Sequence, residues 1–224
     1  MRRLIVSIFF MLAGAGFLFS LGVWQVQRLG QKEAELAAVN ARIDEAPIAV
    51  PVAPDPAKDA YLAVTAKGQL LDQEVDVLTS RVDEGPGYRI ISVLQMADGR
   101  RVMVDRGFLP EKFRATPRPA LETTVVGNLQ WPREVDSFTP APDLQARIWF
   151  ARDVPVLAKQ LHTEPTLIVA RHTDGEIAQM EPIPVDSSDI PNDHLGYAIT
   201  WFSLAICWLG MIGTLLWRDR RRTV

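Results

Sequence analysis

The sequence predicts a membrane protein in which two transmembrane helices flank an α+β, mostly antiparallel β, barrel-like extracytoplasmic domain. Three observations carry this. No charged residue occurs from Leu4 to Val23 or from Leu195 to Trp217. These runs of 20 and 23 residues can each cross roughly 30 Å of hydrocarbon at ~1.5 Å per residue, and neither shows the polar stripe of a buried core helix. Between them, short apolar, β-branched runs alternate with Gly, Pro and Asp clusters, which is strand patterning.

The rest of the composition narrows the function classes. The chain has 224 residues, 48 % of them hydrophobic, with 24 Lys and Arg against 27 Asp and Glu. That balance excludes a disordered chain and a strongly basic nucleic-acid binder, so no nucleic acid is expected as a partner. The single cysteine, Cys207, excludes a disulfide framework and any cysteine-based zinc site.

Orientation follows from the flanks. Arg2 and Arg3 precede the first span, and Arg218, Asp219, Arg220, Arg221 and Arg222 follow the second. Short basic flanks remain cytoplasmic, so both termini are expected in the cytoplasm and residues 26–193 outside it. The translocated segment then carries 18 basic and 26 acidic residues. Arg28 and Lys32 stand on the outer side, which long translocated loops tolerate. The first span is longer than a signal-peptide core, and the small-x-small candidate at its end is Ser20-Leu21-Gly22; it reads as an uncleaved anchor rather than a leader.

The expected organisation is a cytoplasmic tail at 1–3, a first transmembrane helix at 4–25, and a helix extension with a Pro-rich linker at 26–57. The extracytoplasmic β-rich domain covers 58–193, the second transmembrane helix 194–217 and a basic cytoplasmic tail 218–224. Pro47, Pro51, Pro54 and Pro56 make the linker extended. Strands are expected at Leu62–Ala66 and Val75–Thr79, with Gly85-Pro86-Gly87 as a turn. Tyr88–Met96 and Arg101–Leu109 form a hairpin closed at Ala97-Asp98-Gly99-Arg100. Thr123–Leu129, Arg147–Ala151 and Thr166–Arg171 are further strands, and Asp153 caps a short helix containing Pro155 and ending near Leu161. Seven short strands of this kind favour a barrel or strongly curved sheet.

No catalytic set emerges, so no enzyme is expected. The three histidines, His162, His172 and His194, form no metal-ligand spacing with one another or with Cys207. Asp105-Arg106 reads as a structural ion pair at a strand end. His162 suits a helix C-terminus, and His172 follows Arg171 at a strand end. His194 immediately precedes the second span, with Tyr197, Ala198, Trp201 and Ala205 on roughly the same helical face. Two readings fit that position: an interfacial histidine beside an aromatic belt, or one wall of a site for a flat, amphiphilic ligand.

The motifs add a resemblance. Leu21-Gly22-Val23-Trp24-Gln25-Val26-Gln27-Arg28 with Lys32, Gly85-Pro86-Gly87-Tyr88, and Val102-Met103-Val104-Asp105-Arg106-Gly107-Phe108-Leu109-Pro110 resemble blocks of the surfeit locus protein 1 family. So do Ile148-Trp149-Phe150-Ala151-Arg152-Asp153 and Pro191-Asn192-Asp193-His194-Leu195 with Tyr197 and Thr200-Trp201-Phe202. The blocks occur in order over nearly the whole chain.

The resemblance implies a cytochrome c oxidase assembly factor of the bacterial or mitochondrial inner membrane; the bacterial setting, with a periplasmic central domain, is the one expected here. It implies haem a as a transiently carried cofactor, the large haem-bearing oxidase subunit as partner, and contact with the haem a synthesis machinery and the lipid bilayer. On this chain the implied axial iron ligand is His194, with Tyr197 and Trp201 as cofactor-binding neighbours. A haem-free scaffold stabilising an oxidase assembly intermediate is the alternative. One departure stands out: Val185-Asp186-Ser187-Ser188-Asp189-Ile190 is acidic where the pattern calls for a basic residue, which argues against propionate binding by this loop.

Overall fold

Alternating apolar residues from Ala63 onward build strands, and their order in the sheet decides the shape. A computed structural model describes residues 2–177, 179–188 and 190–222; Met1, Ala178, Asp189, Thr223 and Val224, hence the chain ends and one acidic-loop residue, lie outside the described residues. The elements are α1 (Arg2–Ile43), β1 (Ile48–Ala49), α2 (Pro56–Asp59), β2 (Ala63–Arg81), β3 (Gly85–Met96) and β4 (Arg101–Pro110). A 3-10 turn at Glu111–Phe113 precedes β5 (Leu121–Leu129), β6 (Ile148–Trp149), α3 (Val154–Leu161), β7 (Leu167–Thr173) and α4 (His194–Arg222). They divide into two compact units, one of residues 1–38 and 187–224, the other of residues 39–186.

In the second unit β2, β3 and β4 are consecutive antiparallel neighbours, and β5 returns to pair with β2, the Greek-key order. β7 then fills the gap, parallel to β4 through Met103–Asp105 and antiparallel to β5, so five strands close a ring. The two-residue strands β1 and β6 lie parallel to β2. The expected mostly antiparallel, barrel-like domain between two apolar helices is the observed fold.

Closure depends on β2. The two expected strands Leu62–Ala66 and Val75–Thr79 are one strand of 19 residues, pairing with β5 over Ala63–Leu70 and with β3 as far as Arg81. Within it, a Cβ on Gly68 would lie 2.2 Å from the Gln95 carbonyl oxygen, so glycine admits the neighbouring backbone. A register shift between Leu70 and Glu74 bends the strand around the ring. Gly85-Pro86-Gly87 also differs from expectation. The turn is at residues 82–84, and all three pair within the hairpin, opposite Arg81, Ser80 and Thr79. Gly85 enters the strand at φ +79°, while Gly87 is needed because a Cβ would meet the Leu109 carbonyl oxygen at 2.5 Å. The strand at Arg147–Ala151 contracts to β6, and Pro56 opens α2 rather than extending the linker.

Side chains from all five ring strands fill the interior, among them Val64, Leu70, Leu94, Val104, Val125 and Ile168. Outside, α3 lays Val154, Leu157, Ala158 and Leu161 on Ile91, Met103 and Val169. Its start is as predicted: the Asp153 carboxylate accepts from the Val156 N–H at 3.3 Å, and Pro155 sits in the first turn. His162 closes the helix in the left-handed region at φ 54°. The last carbonyl of α1, on Ile43, accepts from Asn128 Nδ2 at 3.1 Å and Arg171 Nη1 at 3.2 Å, which satisfies a helix end that would otherwise be buried without partners.

Asp105 and Arg106 are not an ion pair. Successive strand residues point to opposite faces. Asp105, fully buried, accepts from Arg89 Nε at 2.7 Å and Arg152 Nη1 at 3.2 Å. Arg106, on the other face, binds Glu176 and lies 3.8 Å from Glu74, which also holds Arg118. Arg152 additionally bonds Glu134 through its Nε at 2.8 Å and its backbone N–H at 2.8 Å. Burial pushes the Glu134 carboxyl up, but the Arg152 hydrogen bonds and charge outweigh it and hold the group below the usual carboxylate range.

Gly87→Val should lower the yield of protease-resistant protein, because the added side chain meets strand backbone and the Phe108 ring; normal yield would contradict this. Because the folded-state pKa of Glu134 is depressed, its contribution is full above the unfolded value, about 4.3, and disappears as pH falls through the folded value. Thermal unfolding of wild type and Glu134→Gln should therefore differ at neutral pH and converge in acid. A gap independent of pH would contradict the assignment.

Candidate functional site

The unit of residues 1–38 and 187–224 contains two helices long and apolar enough to cross a membrane. Their contact is built from small residues. A Cβ on Gly14 would lie 2.5 Å from the Trp208 indole nitrogen, and one on Gly22 would lie 2.5 Å from the Phe202 ring. Each glycine therefore receives an aromatic ring of α4, the small-residue logic of close helix pairs. Phe202 also packs on Phe19 with ring centroids 5.3 Å apart, and Trp208 Nε1 donates to the Met11 carbonyl at 3.2 Å. Ala198 and Ala205 are 2 % and 6 % exposed in this seam. Between the helices lies an apolar groove of about 450 Å³, walled by Leu12, Ala15 and Phe19 on α1 and by Phe202, Ile206 and Leu209 on α4.

His194 opens α4; the preceding Asp193 carbonyl accepts the Tyr197 N–H at 3.1 Å. Its ring is half-buried, and Nδ1 stands 2.8 Å from Oε1 of Gln25 on α1. Gln25 is 8 % exposed, three residues beyond Gly22 on the same stripe of α1. The sequence reading gave Gln25 no role. Its signal is an amide at the end of an apolar run, in helical phase with the glycines.

The other two residues singled out with His194 occupy different settings. Trp201 is half-buried, whereas Tyr197 is 56 % exposed. No hydrogen bond, ion pair or ring contact joins His194, Tyr197 and Trp201 among the described residues. His172 pairs with Asp174 at 3.0 Å on the surface, and His162 serves the end of α3. Cys207 is free and exposed. Among the described residues no group of three or more His, Cys, Asp or Glu is placed to hold a metal ion. A porphyrin iron asks for less, one imidazole nitrogen on an axial position and apolar surroundings for the ring. His194 at the head of an apolar helix, with Nε2 lacking a protein partner among the described residues, meets that requirement.

A profile of the SURF1 family matches residues 12–206, which include Gly22, Gln25, His194 and Phe202 of this seam. The chain belongs to the SURF1 family. A SURF1-like protein of Monosiga brevicollis is 31 % identical to it over 86 % of this chain and 81 % of its own length. One from Rickettsia felis is 27 % identical over 84 % and 87 %, and the surfeit locus protein 1 of Rattus norvegicus is 26 % identical over 83 % and 68 %. Membership in the family implies a part in cytochrome oxidase assembly.

Proposed function

We propose that this SURF1-family chain is a membrane-anchored assembly factor that binds haem a through His194 and delivers it to the large haem-bearing subunit of cytochrome c oxidase. The observation that carries the reading is the half-buried His194 imidazole at the head of α4, within the segment matched to the family. Haem a supplies an iron that accepts an axial imidazole nitrogen, on a macrocycle with a long apolar tail. His194 holds that iron at the membrane interface, and the apolar sides of α1 and α4 keep the tail out of water. One protein ligand suits a carrier that must release its cargo. Trp201 and the rim residue Tyr197 flank the ring. The barrel docks on the oxidase subunit, and contact with the haem a synthesis machinery loads the site.

In this reading α1 and α4 span the bacterial inner membrane, residues 26–193 lie in the periplasm, and the protein performs no catalysis. Reporter fusions at Gln73 and Ala141 should register the periplasm and one after Val224 the cytoplasm; a cytoplasmic signal from either internal fusion contradicts this topology.

The ligand is tested by purifying protein from haem a-producing cells and recording reduced-minus-oxidised visible spectra, normalised to protein. His194→Ala should insert normally and lose most bound haem a, whereas His162→Ala and His172→Ala should retain it. Full haem content in His194→Ala would refute the ligand. A wild type without haem a, still required for oxidase assembly, would instead establish a haem-free scaffold for the oxidase intermediate.

A further inference from the structure

α1 buries one amide in its contact with α4, that of Gln25, and an amide buried without a partner is costly. Its carbonyl oxygen lies 2.8 Å from His194 Nδ1. A carbonyl oxygen only accepts, so the ring nitrogen facing it donates, and Nδ1 carries the proton. A neutral imidazole has one N–H, which leaves the lone pair on Nε2. We propose that Gln25 is a positioning residue: it holds His194 as the Nδ1–H tautomer, fixes the ring plane, and thereby makes Nε2 the atom that ligates iron. This rests on the reading of His194 as the haem ligand.

The physical case has three parts. Histidines bound to metals characteristically donate their other N–H to a carbonyl or carboxylate, which fixes tautomer and ring orientation. Here that partner comes from the other helix, so the ligand is oriented only when α1 and α4 are packed. The partner is also uncharged. A carboxylate would make the imidazole more basic and strengthen its bond to a metal, whereas an amide orients the ring with less of that effect. A carrier that must give up its haem is served by the weaker push.

The test uses the full chain in detergent with ¹⁵N-labelled histidine, without haem, at a pH where the imidazole is neutral. Two-bond ¹H–¹⁵N spectra then read which nitrogen of His194 bears the proton, a property that a merely structural glutamine would not set. Wild type should show Nδ1–H. Gln25→Leu, which leaves an apolar side chain in the seam without the amide, should lose that preference and bind haem a about 10- to 100-fold more weakly. Gln25→Glu should restore the tautomer and release haem a to an acceptor more slowly than wild type.

An Nε2–H tautomer in wild type would mean the amide donates to the ring, and overturns the inference. So would a Gln25→Leu protein with the wild-type tautomer and haem affinity. If the tautomer follows Gln25 but His194→Ala keeps its haem, the ligand reading has failed and takes the inference with it. If His194→Ala loses its haem but Gln25→Leu does not, only the role of Gln25 has failed.

Discussion

Gly14 and Gly22 let two apolar helices approach closely enough for Trp208 and Phe202 to seat directly on the backbone of α1. The rest of the site depends on that approach. Between two helices in a bilayer there is little hydrophobic gain, because lipid is as apolar as leucine, so packing and hydrogen bonding have to hold the pair. The aromatic rings over the glycines supply the packing. The Trp208 bond to Met11 and the Gln25 bond to His194 supply polar contacts at separate levels of the seam. A bulkier residue at Gly22 would displace Phe202, one turn below the Gln25 level, and withdraw the amide from the imidazole.

The barrel solves a different problem with the same economy of contact. Gly68 and Gly127 admit neighbouring backbones, with a Cβ in either case lying 2.2 Å from a carbonyl oxygen. β2 can therefore bend and pair with both β3 and β5, which closes the ring. Closing it buries charge. Asp105, with no exposed surface, is held between Arg89 and Arg152, and the Glu74, Arg106, Arg118 and Glu176 set occupies the other face of the same strand. Removing one partner from such a group leaves an uncompensated buried charge, at a cost of roughly 3–5 kcal/mol, so these residues are tied to the fold rather than free for chemistry.

What the sequence made legible is what local physics decides. The two uncharged runs, the capped helix from Asp153, the hairpin at residues 97–100 and the strands β5 and β7 each carry their signal within a dozen residues. Glycine is ambiguous in sequence. Gly85-Pro86-Gly87 reads as a turn, whereas Gly87, like Gly68, is a close-approach position set by a neighbouring strand, and the local sequence is the same in either case. Asp105 was paired with its neighbour in sequence because its partners Arg89 and Arg152 lie 16 and 47 residues away. The site shows the same division. His194 was visible from its place before an apolar run, but its partner is 169 residues distant, and Gln25 acquires meaning only once α1 and α4 pack.

The central claim is that one imidazole, that of His194, holds the iron of haem a. Replacing the side chain and supplying imidazole from solution tests it most directly. His194→Gly protein, prepared under haem a-loading conditions, is titrated with free imidazole while the reduced-minus-oxidised spectrum is followed. The account predicts that the variant lacks the wild-type haem a bands and that imidazole restores them saturably. A variant with full haem content, whose spectrum imidazole leaves unchanged, would contradict it.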